Sequence, residues 1–151
     1  MAVNEALITP RLLDALYTEA MILSDEARSY FESGRFSEQC ADSAALSVAF
    51  SCESLKVTTR VMHCIAWLLN QRALHSDGLS DGQIWNISRS LGEAADSDHR
   101  IVDRFPQEAR NIIYASEELF LRLQRLESRL VDQEASEPPV HGMFRRLQMT
   151  F

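Results

Sequence analysis

The residues best equipped for chemistry sit together in one stretch, ESLKVTTRVMHCIAWLLNQRA, from Glu53 to Ala73. On a helix, Glu53, Lys56, Thr59, Arg60, His63, Trp67, Asn70, Gln71 and Leu74 fall on a single, mostly polar arc. Acid–base catalysis needs a nucleophile with a base in reach, or two titratable groups driven apart in pKa within a cleft. His63 has Cys64 beside it, but adjacent helical residues point about 100° apart. His75, His99 and His141 stand alone, and the chain has no His pair at i,i+4 spacing for a metal. Nor does it carry a glycine-rich phosphate loop, H-E-x-x-H or G-x-S-x-G. The arc therefore reads as a solvated or partner-facing stripe on a protein that is not an enzyme. No cofactor or metal is expected.

Its charged members are local pairs first. Glu53 and Lys56 are an i,i+3 pair worth about 0.2–0.5 kcal/mol on an exposed helix, and Lys56 and Arg60 repel slightly. Charge pairing leaves Trp67 and Leu74 unexplained, two large apolar groups seven residues apart on the polar side. Further along, Tyr114 and Leu121 repeat that spacing opposite their own apolar stripe. Paired apolar residues of this kind suggest a second, shallower contact surface, with a homodimer or a client protein as its owner. The expected interface comprises Trp67, Leu74, Tyr114 and Leu121 with His63, Arg60 and Lys56 alongside. The competing reading packs Trp67 against the segment QIWNISRSL of its own chain.

Three long amphipathic helices must position these residues. Thr9 and Pro10 signal the first start, and the stripe from Leu12 to Phe31 runs to about Ser33 before Gly34 stops it. After the connector GRFSEQCADS, Asp42 or Ser43 caps a second helix that continues to about His75 without Gly or Pro. Its apolar residues, including Leu55, Met62 and Leu69, spread over roughly 200° of the wheel, wide enough to need two packing partners. Ser80 and Gln83 form a capping-box pattern ahead of IWNISRSL. The acidic connector from Gly92 to about Arg104 offers no large apolar residue before Ile101 and is expected to be flexible. Pro106 opens a third helix to about Gln133, with a stripe from Ala109 to Leu130. The fold class is thus all-α, an antiparallel three-helix bundle forming one domain over residues 1–135, with residues 136–151 a flexible tail. Within that tail Phe144, Arg145, Arg146, Leu147 and Phe151 suit a tethered docking peptide.

Composition narrows the partners. A net charge of −7 and a pI near 5.1 argue against nucleic acid, whose affinity comes from clustered cations. The 14 arginines and one lysine suit bidentate carboxylate pairing, although a GC-rich genome gives the same bias. A helix-turn-helix beginning at LSDGQIWNISRSLGEA would place Asp96, Asp98 and Asp103 on its recognition helix, the wrong sign for phosphate. No apolar run has the length of a membrane span, and three cysteines without C-x-x-C or a leader suggest a cytoplasmic protein with reduced thiols.

The runs YTEAMILSDEARSYF and SCESLKVTTRVMHCIAWLLNQRA resemble the RcdA family, the regulators of CtrA degradation, over roughly residues 12 to 130. The resemblance implies a dimeric helical adaptor, without catalytic activity, that brings regulatory substrates to the ClpXP ATP-dependent protease in the bacterial cell cycle. It further implies partners: the protease machinery, substrate proteins, a small response-regulator protein that primes the protease, and an additional adaptor responsive to cyclic di-GMP. No residue-level motif of the family transfers to a position here. The alternatives are a helical DNA-associated regulator or a purely structural dimerisation module.

Overall fold

The structure, a computed structural model, describes residues 8–39, 43–76, 78, 80–86, 89–136 and 147–148, and all regular structure among them is helical. Helix α1 spans Pro10–Glu32. Thr9 caps it by accepting the Leu12 N–H at 3.1 Å, and Gly34 turns the chain out at φ +70°. Its buried residues, Leu13, Leu16, Ala20, Leu23, Ala27 and Tyr30, keep the three- and four-residue spacing that puts one helical face on a core. Helix α3, Ala44–Leu74, starts from Ser43, whose hydroxyl accepts the Leu46 N–H at 3.2 Å. Its 31 residues extend about 46 Å. Helix α6, Gln107–Ser136, follows Pro106 and ends three residues beyond the expected stop. Each of these three long helices touches the other two. Val57, Cys64, Leu68, Ala109 and Leu123 lose all solvent contact where they meet.

Of three short helices only α4 is announced in the sequence, by the capping box in which Ser80 and Gln83 each accept the other's N–H. Helix α2, Arg35–Gln39, lies inside the first connector and buries Phe36, which stacks on Phe50 at 3.7 Å between centroids. Phe105 meets both rings edge-on at 5.6 Å, so one aromatic cluster joins α2, α3 and the approach to α6. Helix α4 spans Asp81–Asn86 and helix α5 spans His99–Val102. Where a helix-turn-helix would need its recognition helix, residues 89–98 carry no helical structure and α5 adds only a single turn.

The acidic connector departs from expectation. Instead of a free loop, residues 89–98 lie as a strap along α3, and α5 then closes it with Val102 fully buried. Its backbone is held by side chains of α3, with Leu91 buried as its apolar anchor.

Candidate functional site

The polar arc of α3 is where chemistry was sought, and the structure turns most of it inward. Glu53, Arg60 and Gln71 are buried, and Trp67 is 1% exposed. Glu53, Arg60 and Trp67 each meet a partner on the strap. Glu53 accepts the Asp98 N–H at 3.1 Å and the Lys56 ammonium at 2.9 Å. Burial alone would raise its pKa. Hydrogen bonds from Ser97, Lys56 and the Asp98 backbone, with the Lys56 charge, outweigh that and hold the carboxyl below its ordinary value.

Seven residues on, Arg60 donates to the Ala95 carbonyl and the Ser97 hydroxyl, both at 2.8 Å, and to Ser116 on α6 at 3.3 Å. Ser116 in turn donates to the Ile113 carbonyl at 2.7 Å. His63 Nδ1 lies 2.9 Å from the Leu91 carbonyl, which can only accept, so that nitrogen carries the proton. Trp67 Nε1–H donates to the Arg89 carbonyl at 3.2 Å. Leu91 is buried, and its N–H donates to Glu127 on α6 at 3.3 Å. The polar side chains of the spine thus satisfy a strap that could not otherwise lie on a helix without orphaned carbonyls.

This arrangement corrects the expected interface. Trp67, Arg60 and His63 belong to an internal clamp, and Lys56 turns toward Glu53, so none of the four forms an open contact surface. Trp67 takes the alternative place, against its own IWNISRSL segment. The reason is electrostatic as much as hydrophobic: an indole N–H and a guanidinium supply the donors that the strap's carbonyls require. Leu74 is half-buried at the end of α3. Tyr114 and Leu121 are exposed, as expected, but Tyr114 is not idle. Its hydroxyl donates to Asp103 at 2.9 Å and its ring stacks on His99, which reaches Glu117 at 3.0 Å. The hydrogen bond to Asp103 is the main reason its pKa is raised. Leu147 is exposed, while Phe144, Arg145, Arg146 and Phe151 lie outside the described residues.

The opposite face of α3 is also corrected, since Leu55, Met62 and Leu69 were expected to pack and do not. Val48, Leu55, Met62 and Leu69 stand in solvent at 64%, 67%, 63% and 45% exposure. Between them lie Ala45, Cys52, Thr59 and Ala66, all exposed and all small. A count at seven-residue intervals would have found both rows; plotting the whole helix at 100° per residue smears them by about 20° per heptad. Beside this face, a groove of about 340 Å³ opens between α1 and α3, lined by Ala27, Phe31, Val57, Val61, Met62 and Ile65 among others. The spine therefore buries polar side chains beside its apolar core residues and leaves a row of large apolar residues outside.

Among the described residues no three of His, Cys, Asp and Glu gather as a metal site, and no helix is long and apolar enough to cross a membrane. Burial pushes the Cys64 thiol up to about 12, far from a nucleophile's range.

A family model described as "protein of unknown function (DUF1465)" matches residues 4–151, and the chain belongs to that family. No curated protein and no solved structure matches it.

Proposed function

We propose that this DUF1465 protein is a non-enzymatic adaptor, a three-helix bundle that presents apolar helix faces to other proteins. One observation carries the reading: α3 uses its polar side chains to hold its own strap and leaves large apolar residues outside. A stripe of contiguous exposed apolar residues is the mark of a protein-binding surface. The resemblance to the RcdA family gives the adaptor its proposed setting, delivery of regulatory substrates to ClpXP in the cytoplasm. The outer side of α6, with Tyr114 and Leu121, is the proposed surface for a protein partner. The C-terminal segment with Phe144, Arg145, Arg146, Leu147 and Phe151 is the proposed second contact, tethered so that its local concentration is high.

Reconstituted proteolysis tests this reading. A protein retained by the chain from cytosol is purified and offered to ClpXP with and without the chain. Adaptor action requires faster degradation with it, loss of that acceleration on deleting residues 136–151 or in Tyr114→Ala/Leu121→Ala, and a melting temperature that the deletion leaves alone. Degradation at one rate throughout would refute it.

A further inference from the structure

A second cleft, of about 410 Å³, opens on the other side of α1, between it and α6. Ala15, Ile22 and Leu23 from α1 and Ala115 from α6 floor it, and Ile22 stands 56% exposed there. Its banks are acidic. Glu19 and Glu26 rise on the α1 side, and Glu118, one turn on from Ala115, on the α6 side. Glu19 is paired with Arg122, but Glu26 and Glu118 pair with no cation among the described residues. Beyond Glu26 the cleft continues past Asn111 to the Arg35–Glu108 pair, where a guanidinium closes it to further cations. An apolar floor between unpaired carboxylates fits a short apolar segment that carries arginine.

We infer that the occupant is the chain's own segment of residues 143–151, docked as a short helix running along α1, an assignment that stands whether or not the protein serves a protease. On a helical wheel Met143, Phe144, Leu147 and Phe151 fall within about 100° of one another, with Arg146 on their flank. Leu147 and Gln148 are helical, and Leu147, like Ile22, is more than half exposed. Each is an apolar residue that the other would cover. After Glu137 the charged side chains are Arg145 and Arg146, cations where the cleft offers spare carboxylates.

The length of the chain fixes where this segment can lie. Arg35 meets Glu108 and Glu19 meets Arg122, so α6 runs antiparallel to α1. Its end at Ser136 projects about 21 Å beyond the level of Arg122. Pro138 and Pro139 lie in residues 137–142, and six extended residues span about 20 Å. Folded back along α6, they bring Met143 close to the level of Glu19. A helix over residues 143–151 then covers about 13 Å, enough to reach Glu26. The other two furrows of the bundle do not compete: the strap bonds to both α3 and α6 along one, and Arg28 stands on the rim of the other. So short a helix is marginal alone. The contact is therefore a tethered equilibrium, a few-fold in favour of docking at about 25 °C and lost on warming before the bundle melts. A partner that takes either half opens the other.

Amide NMR on the full chain tests the assignment with neither protease nor client, so its failure leaves the adaptor reading untouched. Leu147→Asp/Phe151→Asp should release the segment, and both substitutions lie beyond the end of α6, so the bundle is retained. Amide shifts of residues 15–26 and 115–122 should then change, and those of residues 54–65 should stay. Added to that variant, a synthetic peptide of residues 137–151 should return the shifted amides toward their wild-type positions. Its dissociation constant should lie a few-fold below the effective concentration of the tether, at roughly 0.3 mM. Glu26→Arg in the same chain should weaken the peptide about threefold, and a peptide carrying Arg146→Glu should recover the loss. Unchanged shifts at residues 15–26 in the double variant would overturn the inference, as would changes at residues 54–65 in their place. So would peptide binding indifferent to Glu26→Arg, or wild-type shifts that grow with protein concentration and place the segment on a second molecule.

Discussion

Replacing Gly92 with alanine probes the clamp at its tightest point. Gly92 sits at φ +80°, where a side chain costs about 1 kcal/mol or more. A Cβ there would also stand 2.9 Å from His63 Nδ1 and 3.0 Å from its Cε1, closer than such contacts occur. The imidazole must then leave the Leu91 carbonyl, losing a hydrogen bond worth about 1 kcal/mol. The two contributions add to about 2 kcal/mol, or roughly 4–8 °C in melting temperature for a chain of this size. Only the second depends on His63. In a His63→Ala background Gly92→Ala should therefore cost about 1 kcal/mol, leaving a coupling of about 1 kcal/mol between the two sites. Urea unfolding of the four proteins, followed by circular dichroism, measures it. Equal costs in both backgrounds would show that the strap does not rest on His63, and the reasoning about the clamp would fail.

Arg60→Ala should destabilise by about 2–4 kcal/mol, since it removes three hydrogen bonds from a buried cation, and hydrogen exchange at residues 95–98 should accelerate more than in α1; a loss below 0.5 kcal/mol, within the range of ordinary surface substitutions, would contradict its role. Because the folded Glu53 carboxyl titrates below its ordinary 4.5, its contribution is present above that value and fades as pH falls through the lower folded value. Stability measured from pH 6 downward should then fall less steeply in Glu53→Gln than in the wild type, and parallel slopes would refute this. With the thiol of Cys64 buried and pushed up to about 12, a maleimide at pH 8 should leave it unmodified in the folded Cys40→Ser chain and label it only in denaturant.

The long helices were legible because their signals are local. Thr9, Pro10, Ser43 and Pro106 mark their starts, and the three–four spacing of α1 and α6 marks their buried faces. Helix α3 resisted because it buries polar groups beside its apolar ones and leaves a row of large apolar residues in solvent. A wheel sorts residues by polarity, and polarity predicts burial only where polar groups lack partners inside. Arg60 and Trp67 find theirs 35 and 22 residues away in the chain, a pairing that no helix periodicity encodes. Likewise, the connector from Gly92 onward offers no large apolar anchor before Ile101, yet the buried Leu91 just ahead of it and the carbonyls of Arg89, Leu91 and Ala95 hold the strap to α3. Phe36 and Phe50 gave no sign of stacking because ring pairing across a connector depends on a turn that composition alone does not fix.

The clamp also sets a timetable for the chain as it leaves the ribosome. Residues acquire neighbours in the order of synthesis, and α3 is complete long before the groups that satisfy it exist. Arg60 waits 56 residues for Ser116, which at about 5–20 residues per second is about 3–11 s. During that interval the nascent spine has its guanidinium, indole and carboxylate on one flank and its row of leucine, methionine and valine on the other, with only α1 for cover. A ribosome-bound chain halted before the strap should therefore attract chaperones along α3, and release of that hold should coincide with emergence of the first half of α6.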